Sequence, residues 1–356
     1  MSSIRSPNQE IPDLDELARR IGYATGKVIL FGEYAVLEGA PCLVTPSPHL
    51  ASARFTPLEG ARRDPLYIID AGPLGVSVSA PRAEGELAVV SALASPLPNF
   101  PFANEVLRRL NAPSGLYQID TSSFGVTRAG VWEKMGVGSS GAATVALIDL
   151  LSSGEAGARF ELACEVHHQV QGSLGSGADI AASAYRSLLK YRCQPTRSAE
   201  RVTASLPPTL GVWGGGSCST TASVREVKRW ALRDPVAHRG SINALSAACQ
   251  RAIEALSSPQ PRAAWTDAIR AGATAARQLG ERSGVAIWTP RHTRWSTLIE
   301  PLGGALKPSG AGGDDLSLLT APSDEALEAC VARLSRESQD AERLHFFELT
   351  ADVSLP

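Results

Sequence analysis

A glycine-rich stretch from Gly136 to Ala142 is the part of this sequence best suited to chemistry on a phosphate. It reads Gly136-Val137-Gly138-Ser139-Ser140-Gly141-Ala142 and is preceded by Lys134. Small residues allow the backbone to approach a phosphate closely, and a helix start adds unpaired N–H donors with partial positive charge. Ser139 and Ser140 can offer hydroxyl groups to a phosphate oxygen or to Mg²⁺. The stretch therefore predicts a phosphate-binding loop.

Other interpretations of this loop are open. The pattern Gly136-x-Gly138-x-x-Gly141 also matches the dinucleotide-binding fingerprint, but that fingerprint follows an apolar strand. Here residues 132–135 are Trp-Glu-Lys-Met, which do not form such a strand. The loop is also compatible with a glycine turn that only caps a buried helix. A Gly-x-x-x-x-Gly-Lys-[Ser/Thr] sequence is absent, which excludes the P-loop NTPases on their own signature.

Three further sites place charged or hydroxyl side chains next to glycines. Residues 307–315 read Lys-Pro-Ser-Gly-Ala-Gly-Gly-Asp-Asp and precede an apolar strand, so alone they are typical of a hairpin turn. Asp179 follows glycines at the mouth of a predicted helix, where it could simply stabilise the helix dipole. Lys27 follows Gly26 just before the first strong strand, and by itself it would be a solvated surface residue.

The hydrophobic pattern predicts the elements that position these residues. In the N-terminal half we predict strands at Val28–Phe31, Cys42–Val44, Leu66–Asp70, Val76–Ser79 and Leu116–Asp120. Helices are predicted from just after Gly138 to Leu151, at Phe160–Val170 and at Asp179–Leu189. The hydroxyls of Ser139 and Ser140 occupy positions where N-capping side chains are expected.

The C-terminal half begins after a polar segment, residues 199–208, that ends in Pro207-Pro208 and predicts a domain junction. Beyond it we predict strands at Leu210–Trp213, Leu316–Leu319 and His345–Leu349. We predict helices at Ala222–Leu232, Ile242–Leu279 and Asp324–Leu334, the second of them interrupted near 257–261. This order favours an α+β layer with helices on one face of a mainly antiparallel sheet.

Length and composition bound the function classes. The 356 residues exceed the usual single-domain size, so we predict two domains, 1–205 and 206–356, that share a cleft. A net charge of −2 argues against nucleic acid or an anionic membrane as partner. Residues 1–20 lack the apolar core of a signal peptide, and no run of about 18 apolar residues occurs. The six scattered cysteines are typical of reduced thiols, so we expect a cytoplasmic protein.

Taken together, three stretches resemble the motifs of the GHMP small-molecule kinase superfamily. Residues 26–37, Gly-Lys-Val-Ile-Leu-Phe-Gly-Glu-Tyr-Ala-Val-Leu, resemble the first motif, residues 136–142 the second and residues 307–313 the third. They occur in the superfamily's order, and the resemblance spans about residues 22–350. It implies an α+β GHMP kinase fold with an N-terminal ribosomal-protein-S5-domain-2-like domain, a C-terminal ferredoxin-like domain and ATP between them.

Within the superfamily the sequence most resembles the phosphomevalonate kinases. Lys134 and Gly141 flank the loop as in those enzymes, and residues 179–185, Asp-Ile-Ala-Ala-Ser-Ala-Tyr, are similar to their segment. His167 occupies the place of a magnesium-binding Glu of mevalonate kinases. The resemblance implies ATP-dependent phosphorylation of 5-phosphomevalonate. A mevalonate kinase, a decarboxylase of the same fold and a non-catalytic metabolite-binding relative are the alternatives.

The resemblance also implies residue roles. Lys27 and Asp179 are the expected catalytic pair, with Asp179 as base or orienter of the acceptor oxygen. ATP binding is expected from Lys134, Gly136, Val137, Gly138, Ser139, Ser140, Gly141 and Ala142, and Mg²⁺ binding from Ser140. Substrate binding is expected from Tyr34, Ser176, Ser309, Gly310, Ala311 and Gly312. The implied partners are ATP and phosphomevalonate, in a monomer or a homodimer.

The sequence departs from the family pattern at four places. Thr25 replaces a proline and Val137 a leucine. Arg186-Ser187 replaces a Gly-Gly pair that we expect near the acceptor site, and Asp314 replaces a third glycine expected near the ATP phosphates. These departures bear on the identity of the acceptor more than on the reaction type.

Overall fold

The computed structural model of the protein describes residues 11–58, 67–70, 76–81, 87–89, 100–172, 175–216, 220–337 and 344–356. Its strands are β1 (Gly22–Phe31), β2 (Cys42–Pro57), β3 (Tyr67–Asp70), β4 (Val76–Pro81), β5 (Leu87–Val89), β6 (Gly115–Asp120), β7 (Gly125–Arg128), β8 (Val131–Lys134), β9 (Leu189–Arg192), β10 (Ser198–Arg201), β11 (Thr209–Trp213), β12 (Ala305–Pro308), β13 (Leu316–Thr320) and β14 (His345–Glu348). Its helices are α1 (Leu14–Arg19), α2 (Pro101–Arg109), α3 (Ser139–Leu151), α4 (Ala156–Gln171), α5 (Ala178–Tyr185), α6 (Thr220–Arg233), α7 (Pro235–Ala255), α8 (Pro261–Ser283), α9 (Pro290–Ile299) and α10 (Asp324–Glu337). A one-turn 3₁₀ helix, Ala35–Glu38, connects β1 to β2.

The first sheet is built around β2, which is long enough to pair with three neighbours. Its order is β10-β9-β2-β6-β3-β4-β5, with β1 paired to β2 outside this path. Only the β3–β6 pair is parallel among the described ladders. Helix α3 lies close against β1 because Gly22 has no side chain: a Cβ there would lie 2.1 Å from Ala146 O. This contact places the middle of α3 beside the start of β1.

The second sheet is antiparallel, with the order β12-β13-β11-β14. Because strand side chains alternate, Val212 and Leu319 face a cluster with α9 and α10, whereas Trp213 and Leu318 join the core shared with the first sheet. Trp265 of α8 lies in that shared core. The predicted antiparallel α+β layer is confirmed, but both of its faces are covered.

Several predicted element boundaries were wrong. Helix α5 ends at Tyr185 rather than Leu189, because Arg186 adopts a left-handed conformation with φ of 55°. Ser198–Arg201 form strand β10 of the first sheet, so the polar segment 199–208 is only partly a linker. Gly138, at φ of 87°, is the N-cap of α3, and neither Ser139 nor Ser140 caps it. Within the described residues, none of the helices is both long and apolar enough to span a membrane.

The chain returns to the first sheet after β14. Ser187 forms a β-bridge with Asp352, and Leu188 N donates a hydrogen bond to Ala351 O. Thr45 Oγ1 on β2 donates to Thr350 O. The boundary at residue 205 lies between β10 and β11, and the division into two domains stays a prediction because one core cluster includes residues from both sides.

Candidate active site

One cavity of about 290 Å³ is lined by residues from all three glycine-rich motifs. Those of the predicted site that line it are Lys27, Tyr34, Gly136, Ser140, Ser176, Asp179, Ser309, Gly310 and Ala311. They come from β1 and the turn after it, from the loop before α3 and the first turn of α3, from the start of α5 and from the loop after β12. The start of α6 closes the cavity with Thr220, Thr221 and Val224.

The loop before α3 is held against β1 by Lys27. The backbone N–H of Lys27 donates to Val137 O at 2.8 Å. Gly136 and Gly138 have φ of 71° and 87°, which glycine adopts without strain. Gly138 also packs on the aliphatic part of Lys27, since a Cβ there would lie 2.8 Å from Lys27 Cγ. The loop thus directs its backbone and the start of α3 towards the cavity.

Only part of the predicted ATP-binding set lines the cavity. Gly136 and Ser140 do so, whereas the side chains of Val137, Ser139 and Ala142 are buried beneath the loop. The Ser140 Oγ atom is buried and has no hydrogen-bond partner among the described residues. A buried hydroxyl without a partner is costly unless a ligand satisfies it. Ser140 therefore fits an oxygen ligand for a phosphate-bound cation.

Lys27 and Asp179 line the cavity together, from β1 and from the first turn of α5. Lys27 Nζ lies 3.5 Å from Gly136 O, and a Cβ on Gly310 would be 4.0 Å from it. The Asp179 carboxylate faces the start of α3, where a Cβ on Gly141 would be 3.4 Å from its Oδ2. The cation thus lies beside the second and third motifs, and the carboxylate beside the second.

The third motif is joined to the first by hydrogen bonds. Tyr34 OH donates to Ala311 O at 2.7 Å, and Ser309 Oγ donates to Ile29 O at 2.8 Å. Gly312 does not line the cavity, and its contact with substrate stays a prediction. Its Cα packs instead on Ile287, where an added Cβ would lie 2.7 Å from Ile287 Cγ2.

The structure also reveals a buried ion pair, Glu33 with Lys307, that the sequence analysis did not identify. Glu33 lines the floor of the cavity, and burial raises the pKa of its carboxyl although Lys307 opposes that rise. Lys307 Nζ also donates to Leu30 O at 2.9 Å and Pro308 O at 2.8 Å. The pair links β1 to β12 below the cavity.

Asp315 is a second cavity residue that the sequence analysis left out. Its carboxylate lies against the phosphate loop, because a Cβ on Gly136 would be 2.1 Å from its Oδ1. Burial raises the pKa of Asp315 to about 6, although the charges of Lys27 and Lys134 oppose that rise. Lys134, at the end of β8, is therefore electrostatically coupled to the cavity through Asp315, although it does not line it.

His167 occupies the wall between α4 and α3. Its Nε2 lies 3.2 Å from Thr144 Oγ1, and its ring stacks on Phe102 with centroids 4.2 Å apart. Burial lowers the pKa of His167, although Asp179 opposes the change, so the ring is neutral near pH 7. In the described part of the chain no three His, Cys, Asp or Glu side chains cluster as a metal site.

Two departures from the family pattern lie outside the lining of this cavity. Arg186 does not line the cavity, and its carbonyl accepts a hydrogen bond from Val353 N. Asp314 also lies outside the cavity lining: its Oδ1 accepts a 2.7 Å hydrogen bond from Thr289 and lies 3.8 Å from Arg291 Nε. The extra carboxylate is thereby held by partners outside the cavity.

The chain is similar in sequence and in fold to known kinases. No family model matches the chain. A phosphomevalonate kinase from Streptomyces sp. (strain CL190) is 28% identical over 339 residues, covering 84% of this chain and 88% of that protein. The structure of Streptococcus pneumoniae phosphomevalonate kinase in complex with phosphomevalonate and AMPPNP superposes with a TM-score of 0.70 at 18% identity, covering 92% of this chain and 99% of the other.

The structure of L. major mevalonate kinase in complex with R-mevalonate gives a TM-score of 0.68 at 20% identity, over 95% of this chain and 97% of the other. At these identities the solved structures establish the fold, and they do not distinguish one acceptor from another. The chain therefore has the GHMP kinase fold, and its sequence is similar to that of the Streptomyces phosphomevalonate kinase.

Proposed function

We propose that the protein transfers the γ-phosphoryl group of ATP to 5-phosphomevalonate. The observation that carries the proposal is the single cavity in which Lys27, Asp179 and the unpartnered Ser140 hydroxyl lie beside the glycine-rich loop. Phosphoryl transfer requires positioning and charge neutralisation more than covalent chemistry. The Streptomyces relative, a phosphomevalonate kinase, supports the choice of acceptor.

In this proposal each part of the site has its own role. Backbone N–H groups of the loop and the start of α3 bind the ATP phosphates. Ser140 Oγ would hold Mg²⁺, which supplies positive charge at the phosphates when bound. Lys27 neutralises the transferred group, and Asp179 orients the acceptor oxygen. Tyr34 and Ser309 keep the third motif against β1 through their hydrogen bonds.

The environment of His167 favours a phosphate acceptor over an alcohol. A neutral ring tied to Thr144 and Phe102 cannot replace a carboxylate as a magnesium ligand. A phosphate acceptor is largely ionised near pH 7, so it does not need to lose a proton to a strong base. Cationic neutralisation by Lys27 then contributes most of the catalysis.

Mevalonate kinase is the second candidate, and the similarity to the L. major enzyme supports it. A non-catalytic relative is disfavoured because Lys27 and Asp179 both line the cavity. A cytoplasmic location and a monomeric or homodimeric state remain expectations from the sequence.

An ADP-release assay with ATP and Mg²⁺ tests the proposal against mevalonate, phosphomevalonate, homoserine and galactose. Phosphomevalonate should be the preferred acceptor. Turnover of mevalonate alone would transfer the assignment to the second candidate. An inactive protein that still binds a panel compound would support the non-catalytic relative.

A further inference from the structure

A second cavity, of about 320 Å³, adjoins the first. The two share part of their lining, namely Leu37, His167, Gln171, Gly175, Ser176 and Asp179. Asp179 therefore lies where they meet, so a ligand that reacts beside Asp179 can extend into either one. The remaining walls of the second cavity come from α4, from α6 and from the segment between β9 and β10.

The two cavities differ in charge. The first is lined by the carboxylates Glu33, Asp179 and Asp315 with Lys27 as its cation. The second is lined by Arg197 and Lys228, and Asp179 at the junction is the only carboxylate among its described lining residues. A carboxylate on a ligand is attracted by the two cations that line the second cavity.

Arg197 is positioned by its neighbours rather than free in solvent. Its guanidinium lies 5.7 Å from the centre of the Phe160 ring and 2.8 Å from a Glu161 carboxylate oxygen. Its charge opposes the rise that burial causes in the pKa of Cys164, a thiol that lines the same cavity. The guanidinium therefore acts electrostatically on the interior of the second cavity.

Lys228 is placed by the periodicity of α6. Val224 lines the first cavity, and Lys228, four residues further, lies on the same helix face and lines the second. One helix thus presents an apolar side chain beside the reaction centre and a cation beyond it.

We infer that the second cavity binds a carboxylate at the far end of the acceptor, through Arg197 and Lys228. The inference rests on the proposed function: when the acceptor's phosphate lies at Lys27 and Asp179, its carboxylate must be placed elsewhere. The site would select phosphorylated carboxylic acids over phosphate esters without a carboxylate, because Arg197 and Lys228 attract an ionised carboxylate more strongly than a neutral group.

The experiment uses the full chain with phosphomevalonate and with an analogue whose carboxylate is replaced by a neutral amide. Variants Arg197→Met and Lys228→Met are compared with Arg201→Met and Lys190→Met. These controls break surface ion pairs with Asp352 and Glu200 and lie outside the second cavity's lining. Steady-state constants are measured for acceptor and ATP, and acceptor affinity without ATP is measured by calorimetry.

In the unmodified protein the amide should bind roughly 10-fold or more weakly than the acid. Each cavity variant should weaken binding of the acid by about the same factor, with little effect on the amide or on the KM for ATP. The control variants should change neither the affinity for the acid nor the KM for ATP.

Three results would overturn the inference. The unmodified protein could bind acid and amide equally, the cavity variants could leave acid binding unchanged, or they could weaken acid and amide alike, as a structural defect would. If the protein phosphorylates phosphomevalonate normally and one of these three results is found, the carboxylate site is refuted and the proposed function stands. If the protein phosphorylates no phosphorylated acid, both the proposed function and the carboxylate site are refuted.

Discussion

Lys307 and Glu33 form an ion pair that joins the two sheets directly below the cavity. Lys307 lies on β12, and Glu33 follows β1 by two residues. The Lys307 side chain is 1% exposed and that of Glu33 8%, so water screens the pair very little. Lys307 Nζ donates to Glu33, Leu30 O and Pro308 O, which uses all three of its protons.

Removing one partner of this pair should lower the free energy of unfolding more than removing both partners together. Lys307→Met leaves a buried carboxylate without its cation and should lower the free energy of unfolding by about 3–5 kcal/mol. Lys307→Met combined with Glu33→Gln should lose less than the sum of the single losses. Denaturant unfolding of the four proteins in a double-mutant cycle measures the coupling. Strict additivity would show that the two side chains do not interact.

Lys27 and Asp179 should differ in importance on the proposed acceptor. Lys27→Ala removes a cation from the transferred group and should lower kcat about 10²–10³-fold. Asp179→Asn should be milder on phosphomevalonate, because an ionised phosphate needs no base. Steady-state kinetics of both variants, with ATP KM as a second readout, measures the ranking. Near-normal turnover by Lys27→Ala would show that the first motif has been misassigned.

Asp315→Asn should stabilise the protein in neutral solution. Because the folded pKa of about 6 exceeds the ordinary 3.8, ionising Asp315 costs more in the folded than in the unfolded state. This penalty is complete above pH 6 and disappears as the pH falls below 3.8. The variant should therefore gain about 1–3 kcal/mol at pH 8 and little at pH 4. Urea unfolding at both pH values checks this, with Asp267→Asn on the surface of α8 as the control.

Burial of His292 should reduce the stability of the protein in acidic solution, whereas burial of Asp315 reduces it in neutral solution. Burial lowers its pKa from 6.5 to about 4, and Thr289 N donates to its Nδ1, so the folded state holds the neutral ring. The unfolded chain takes up a proton below pH 6.5, so the free energy of unfolding should fall as the pH drops towards 4. His292→Gln should flatten this slope by about one proton.

Arg186→Gly should leave the kinetic constants unchanged, because residue 186 does not line either cavity. Its φ of 55° is costly for a residue with a Cβ, whereas glycine adopts it freely. Glycine also adds entropy to the unfolded chain, so the net change in stability should stay within about 1 kcal/mol. A large change in the KM for the acceptor would indicate that Arg186 does contribute to the acceptor site.

The glycine-rich motifs were predictable because their information is local. Positions 136 and 138 need left-handed backbone, and a helix begins directly after them, so a few adjacent residues define the loop. The antiparallel strands β11, β13 and β14 were likewise visible as short apolar runs.

Contacts between residues that are far apart in the sequence leave no such local pattern. Glu33 and Lys307 are separated by 274 positions, and each alone resembles a surface residue. Gly312 belongs to a motif whose neighbours line the cavity, yet its backbone turns it towards Ile287. The sequence pattern delimits the motif, whereas the packing of a distant residue decides which of its members line the cavity.

The return of the chain to the first sheet after β14 affects the order in which the protein can be completed during synthesis. Strand β2 and Leu188, the residue before β9, are synthesised long before residues 350 and 351, to which Thr45 and Leu188 form hydrogen bonds. Segments made first usually fold first. Here the earliest sheet keeps open hydrogen-bonding positions until almost the whole of these 356 residues has been translated.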